Sequence, residues 1–160
     1  VAYRNGMLFN PNTWRELFKP HVKALIDLCH ANNLMVIYHG CGNATNIYED
    51  FIEIGLDGYN PLEAKADLDV VELKKEYGGR LAFAGNVDVR VLEEGNRDEI
   101  KKEVLYKIQA AQGGGWIFQS DHSVSSDVDP ESYKFAVDVF REYCKYPLDM
   151  DRIKKDLEKL

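Results

Sequence analysis

The stretch Leu34-Met35-Val36-Ile37-Tyr38-His39-Gly40-Cys41-Gly42-Asn43 decides the fold. Its first five residues form a nearly continuous apolar run, too short for a helix. Such a run is expected of a strand buried on both faces, as in a parallel sheet. The glycine-rich turn that follows carries polar side chains able to do chemistry. Before the run, Asn10-Pro11 opens a helix, with Asn10 as the N-cap and Pro11 at the first helical position. Trp14, Leu17, Phe18, Val22, Leu25 and Cys29 then recur at three- and four-residue steps and define one helical face. Pro20 is placed to kink this helix, and Asn32-Asn33 to end it.

The same alternation continues after the run. A helix bearing Ile47, Phe51 and Ile54 ends at Gly55, and a brief strand at 57–60 precedes Pro61. A second helix carries Val70, Val71, Leu73 and Tyr77, and a strand at 81–84 runs into Gly85-Asn86-Val87-Asp88. One long helix with Ile100, Val104, Leu105 and Ile108 is expected next, then Gly113-Gly114-Gly115 and a strand at 116–118. The last main helix carries Tyr133, Ala136, Val137, Phe140 and Cys144. Residues 148–160 read as a charged tail with a short surface helix, separate from a domain at 1–147. Strands separated by helices of this length imply βαβ units and a parallel sheet, an α/β fold. Either a small doubly wound sheet or part of a barrel satisfies the pattern. Both bind ligands beyond the carboxyl ends of the strands. The segments at 39–43, 60–63, 85–88 and 120–123 therefore hold the candidate site.

Composition narrows the class. With 45% apolar and 29% charged residues among 160, the chain has the make-up of a globular protein. Its net charge of −7 opposes nucleic acid as the main partner, because phosphate binding needs a basic surface. No apolar run reaches the roughly 18 residues of a membrane span. Three cysteines make no disulfide framework and fit a reducing cytoplasm.

At the strand ends, His39 and Cys41 stand two residues apart, with a glycine on each side of Cys41. Imidazole and thiolate both bind zinc, and His122 at another strand end is the candidate third ligand. Three protein ligands would leave a position open for substrate. His39 can instead bond a backbone group, and Cys41 can simply be small. His122 also serves as a candidate catalytic acid or substrate donor. Asp88 is a candidate catalytic residue or a helix cap. Asn60, Glu63 and Asn86 are candidate substrate-binding groups, with turn formation the alternative for Asn60.

These pieces occur in an order that resembles a known family. Pro11…Trp14, HGCGN at 39–43, Gly55-Leu56-Asp57-Gly58-Tyr59-Asn60-Pro61, Leu73-Lys74-Lys75-Glu76-Tyr77-Gly78, Gly85-Asn86-Val87-Asp88 and Gly114-Gly115-Trp116-Ile117-Phe118…His122 look like the uroporphyrinogen decarboxylase superfamily. The resemblance implies the C-terminal half of a (β/α)₈ TIM-type barrel, with about four strands expected before Val1 and supplied upstream or by another chain. One branch decarboxylates a tetrapyrrole without metal. The other moves methyl groups between small methylated substrates and a corrinoid carried by a partner protein, and it carries a zinc motif HxC…C. His39-Gly40-Cys41 matches the first part of that motif. His122 stands where the second Cys belongs, and a His there looks like the decarboxylase branch. That branch has an Asp-Trp pair where Asn60-Pro61 stands. The resemblance therefore implies a zinc- and corrinoid-dependent methyltransferase first and uroporphyrinogen decarboxylase second. A non-catalytic ligand-binding module is the third alternative.

Overall fold

The computed structural model describes residues 1–160. The chain opens with an antiparallel hairpin, β1 (Ala2–Tyr3) and β2 (Gly6–Met7). Two helices follow, α1 (Pro11–Leu17) and α2 (Lys19–Ala31), where one was expected. They meet at Phe18, which ends α1 and precedes α2 with φ widened to −114° while ψ stays at −43°. Pro20 falls in the first turn of α2, where a missing N–H costs nothing, so it helps start a helix instead of kinking one. Asn10 caps α1 as expected, accepting from the Asn12 N–H at 2.8 Å.

The remainder alternates strand and helix: β3 (Ile37–His39), α3 (Tyr48–Glu53), β4 (Gly58–Asn60), α4 (Val70–Tyr77) and β5 (Ala82–Ala84). Next come α5 (Val89–Glu94), α6 (Arg97–Ile108), β6 (Trp116–Ile117), α7 (Pro130–Tyr143) and α8 (Met150–Leu157). The single long helix expected before the glycine run is divided into α5 and α6. Gly95 adopts a φ of 70° after α5, and Asn96 restarts the chain by capping α6. The tail is not detached, since Ile153 of α8 is buried in the common core.

Strands β3, β4, β5 and β6 pair in that order, all parallel. The register aligns Tyr38, Tyr59, Phe83 and Trp116 in one row. This aromatic row faces the helices: Tyr38 and Tyr59 pack on Phe51, and Tyr48 packs on Tyr59 and Phe83. Alternation along the strands sends Ile37, His39, Ala84 and Ile117 to the opposite face. There Ile37 and Ile117 remain about half exposed, at 52% and 51%. The expectation that the first strand is buried on both faces therefore does not hold in this chain. β3 is an edge strand, and Leu34 and Met35 before it are also exposed, as are Leu25 and Leu28 on α2. The helical face read from Trp14 onward likewise buries Trp14 but leaves Leu17, Phe18 and Leu25 exposed.

Asp50 joins α1 and α2 to α3. Its carboxylate accepts from Arg15 Nε at 3.0 Å and Lys19 Nζ at 2.9 Å. Burial alone would raise this carboxyl, but the two cations override it and hold it below its ordinary value. A depressed folded value means the stabilisation is fully present above the unfolded value of about 3.9 and is lost as pH falls through the folded one. Asp50→Asn is expected to flatten the loss of stability below about pH 4. Urea midpoints across that acid range would show it, and an unchanged acid slope would refute it.

Candidate functional site

The carboxyl ends of β3, β4 and β6 meet at a pocket of about 300 Å³ lined by His39, Cys41, Gln119, His122, Ser123 and Tyr133, among others. Parallel pairing puts His39 beside Asn60, and His39 Nδ1 lies 2.7 Å from Asn60 Oδ1. The turn after His39 is held from two sides. The Tyr59 hydroxyl donates to the Gly40 carbonyl at 2.7 Å, and the Asn43 N–H donates to the Tyr3 carbonyl in the opening hairpin at 2.9 Å. Gly42 is required at this crossing: its φ is 81°, and a Cβ there would stand 2.6 Å from the Tyr3 backbone.

Cys41, Glu63 and His122 converge, with one donor atom from each within 4.8 Å of the others. His39 stands beside this cluster, its Nε2 3.9 Å from Cys41 Sγ. Desolvation in the turn raises the Cys41 thiol above its ordinary value, and the adjacent Glu63 carboxylate adds to the effect. Glu63 is 5% exposed, with Lys65 Nζ 3.9 Å from its carboxylate.

Asn86 and Asp88 do other work. Asn86 is fully buried, and its side chain donates to the Leu62 and Leu68 carbonyls and accepts from the Val70 N–H, each at 2.8 Å. Its amide is thus consumed inside the loop and turns no group to the pocket. Asp88 caps α5 through the Arg90 N–H at 2.9 Å and pairs with the Arg90 guanidinium. It does not line the pocket.

Two contributors escaped the sequence reading. Asp121 is buried, and it accepts from the Ala64 N–H and the Val89 N–H, both at 3.0 Å. It binds the loop carrying Glu63 to the start of α5. Burial raises its carboxyl, and these two N–H groups offset the rise only in part. Gln119 accepts from Asn60 Nδ2 at 3.0 Å. Its parity with Ile117, two residues earlier, was the available signal, but the strand was too short to fix the face.

Parallel strands in unbroken sequence order, with a thiol, imidazoles and a carboxylate at their carboxyl ends, define a class: part of a (β/α)-barrel with a strand-end pocket. The family model described as "Uroporphyrinogen decarboxylase (URO-D)" matches residues 4–143, and the chain belongs to that family. Among curated relatives, a uroporphyrinogen decarboxylase of Ruthia magnifica is 33% identical over 98 residues, covering 61% of this chain and 27% of its own length. One from Chlorobium limicola is 26% identical over 135 residues, covering 81% and 37%. A solved methyltransferase from Methanosarcina mazei matches with a TM-score of 0.66 at 22% identity, over 86% of this chain and 39% of that one. The chain thus spans less than two fifths of the length of each. This structural likeness speaks to the fold. No helix is long and apolar enough to cross a membrane.

Proposed function

We propose that this chain forms the zinc-binding part of a corrinoid-dependent methyltransferase of the family, acting on a small methylated substrate. The observation that carries the reading is the convergence of Cys41, Glu63 and His122. A sulfur, an oxygen and a nitrogen donor suit zinc, and three protein ligands leave a fourth position for substrate. Tetrahedral zinc needs donors roughly 3.5 Å apart, so a modest closing of the cluster suffices. The sequence suggested His39, Cys41 and His122; the geometry favours Glu63 over His39 as the third donor. When bound, zinc would polarise a methylated oxygen or hold a substrate thiolate. Ser123 and Tyr133 line the pocket beside the ligands and offer hydroxyls to orient the substrate.

The relatives' names favour a second reading, uroporphyrinogen decarboxylation, with His122 as substrate-binding or proton-donating group. On that reading the Arg and Asp that grip the tetrapyrrole carboxylates would lie in the remainder of the barrel. In either case the remainder of a barrel, upstream or from another chain, would cover Ile37, Ile117 and the apolar surface of α2. A separate corrinoid protein would meet the pocket mouth. Free thiols fit a cytoplasmic setting.

The test is elemental analysis of full-length protein purified without chelators, alongside an anaerobic assay for coproporphyrinogen. Equimolar zinc without decarboxylation is the expected result. Zinc-free protein that forms coproporphyrinogen would replace this reading with the second.

A further inference from the structure

The hydrogen bonds around Asn60 fix more than its own position. Asn60 Nδ2 lies 3.2 Å from the Ala84 carbonyl and 3.0 Å from Gln119 Oε1. A backbone carbonyl can only accept, so the amide nitrogen must be the atom on that side. Asn60 Oδ1 is then the atom 2.7 Å from His39 Nδ1. An amide oxygen carries no proton, so Nδ1 must donate. In neutral His39 the lone pair is therefore on Nε2, which faces Cys41 Sγ at 3.9 Å. The sheet makes this arrangement available. Asn60 pairs with His39 across β3 and β4, and the small Ala84 of β5 leaves room for the amide to reach Gln119 beyond it. Asn60 is only 9% exposed, so water competes weakly for its bonds.

We infer that Asn60, oriented by the Ala84 carbonyl and Gln119, is a positioning residue that locks His39 in the Nδ1–H tautomer and aims its Nε2 lone pair beside Cys41. Free histidine in water prefers the other tautomer, so the lock has a measurable effect. The partner on one ring nitrogen sets what the other can do. A bare Nε2 can accept a hydrogen bond from a thiol or from substrate, which the opposite tautomer cannot. The inference rests on the methyltransferase reading only for what Nε2 serves there. The tautomer itself requires no metal.

The experiment uses full-length protein labelled with ¹⁵N-histidine, stripped with chelator and held at about pH 8, above the ordinary histidine range. Long-range ¹H–¹⁵N correlations report which ring nitrogen is protonated, and the spectrum of His39→Gln assigns the His39 signals. Wild-type His39 is expected to be protonated at Nδ1. Asn60→Ala is expected to shift the tautomer ratio toward Nε2–H by roughly fivefold or more, the scale of one hydrogen bond. Asn60→Asp, which offers only acceptors, is expected to retain Nδ1–H. Should Asn60→Ala fail to fold, Gln119→Leu frees the Asn60 amide without touching His39, and a smaller shift in the same direction is expected. Wild-type His39 found as Nε2–H, or a ratio unmoved in Asn60→Ala or in its substitute, would overturn the inference. Zinc-free protein with the expected tautomer would sink the zinc reading alone. Bound zinc with the opposite tautomer would sink this inference alone, because Cys41, Glu63 and His122 do not depend on it.

Discussion

Asn86→Ala is expected to destabilise the fold by about 3–5 kcal/mol, far out in the tail for a single substitution. The change leaves the Val70 N–H and the Leu62 and Leu68 carbonyls without their partner in a buried loop. Each such group costs on the order of 1–3 kcal/mol, and partial relaxation keeps the total below the simple sum. Backbone conformation adds to the loss. Asn86 has a φ of 84°, a region that asparagine tolerates and alanine resists. Asn86→Gly removes the same hydrogen bonds without that strain and is expected to cost about 1 kcal/mol less than alanine. Urea melts with an unchanged slope would measure both. An alanine cost below about 1 kcal/mol would mean that water replaces the lost bonds, contrary to the burial described.

Glu63→Gln is expected to weaken zinc binding by more than the roughly 10–100-fold that loss of an outer partner costs. The substitution keeps the side chain's shape but removes the anionic donor from the cluster with Cys41 and His122. His39→Gln is expected to cost less, on the order of tenfold, because His39 stands beside the cluster. Competition against a zinc chelator of known affinity gives both values. The reverse order would return His39 to the ligand set and move Glu63 out of it. Together with Cys41→Ala, expected to abolish tight binding, the series separates a metal centre from a merely polar pocket.

Much of the candidate site was legible because barrels put chemistry in one place. Once 34–38 and 116–118 read as parallel strands, the segments after them had to hold the polar groups, and His39, Cys41 and His122 all reach the pocket. Roles inside those segments were less legible. Asn86 and Glu63 looked alike as polar residues after strands. One is an internal staple, and the other reaches Cys41 and His122. Nothing in a single sequence says whether a loop asparagine faces inward to carbonyls or outward to solvent. Asp121, inside the segment 120–123, was given no role for the same reason: its value comes from two N–H groups 57 and 32 residues earlier in the chain.

The sequence by itself determined the alternation of strand and helix, the parallel sheet and the end of the sheet that carries chemistry. Those features follow from local periodicity and from the chirality of βα connections, which every segment carries in its own residues. Tertiary structure alone decided that Glu63 joins Cys41 and His122, and that Asn60 holds His39 through one atom and Gln119 through another. Each of these depends on which strands lie side by side and in what register. That is settled by packing the aromatic row against the helices, not by any short stretch of chain.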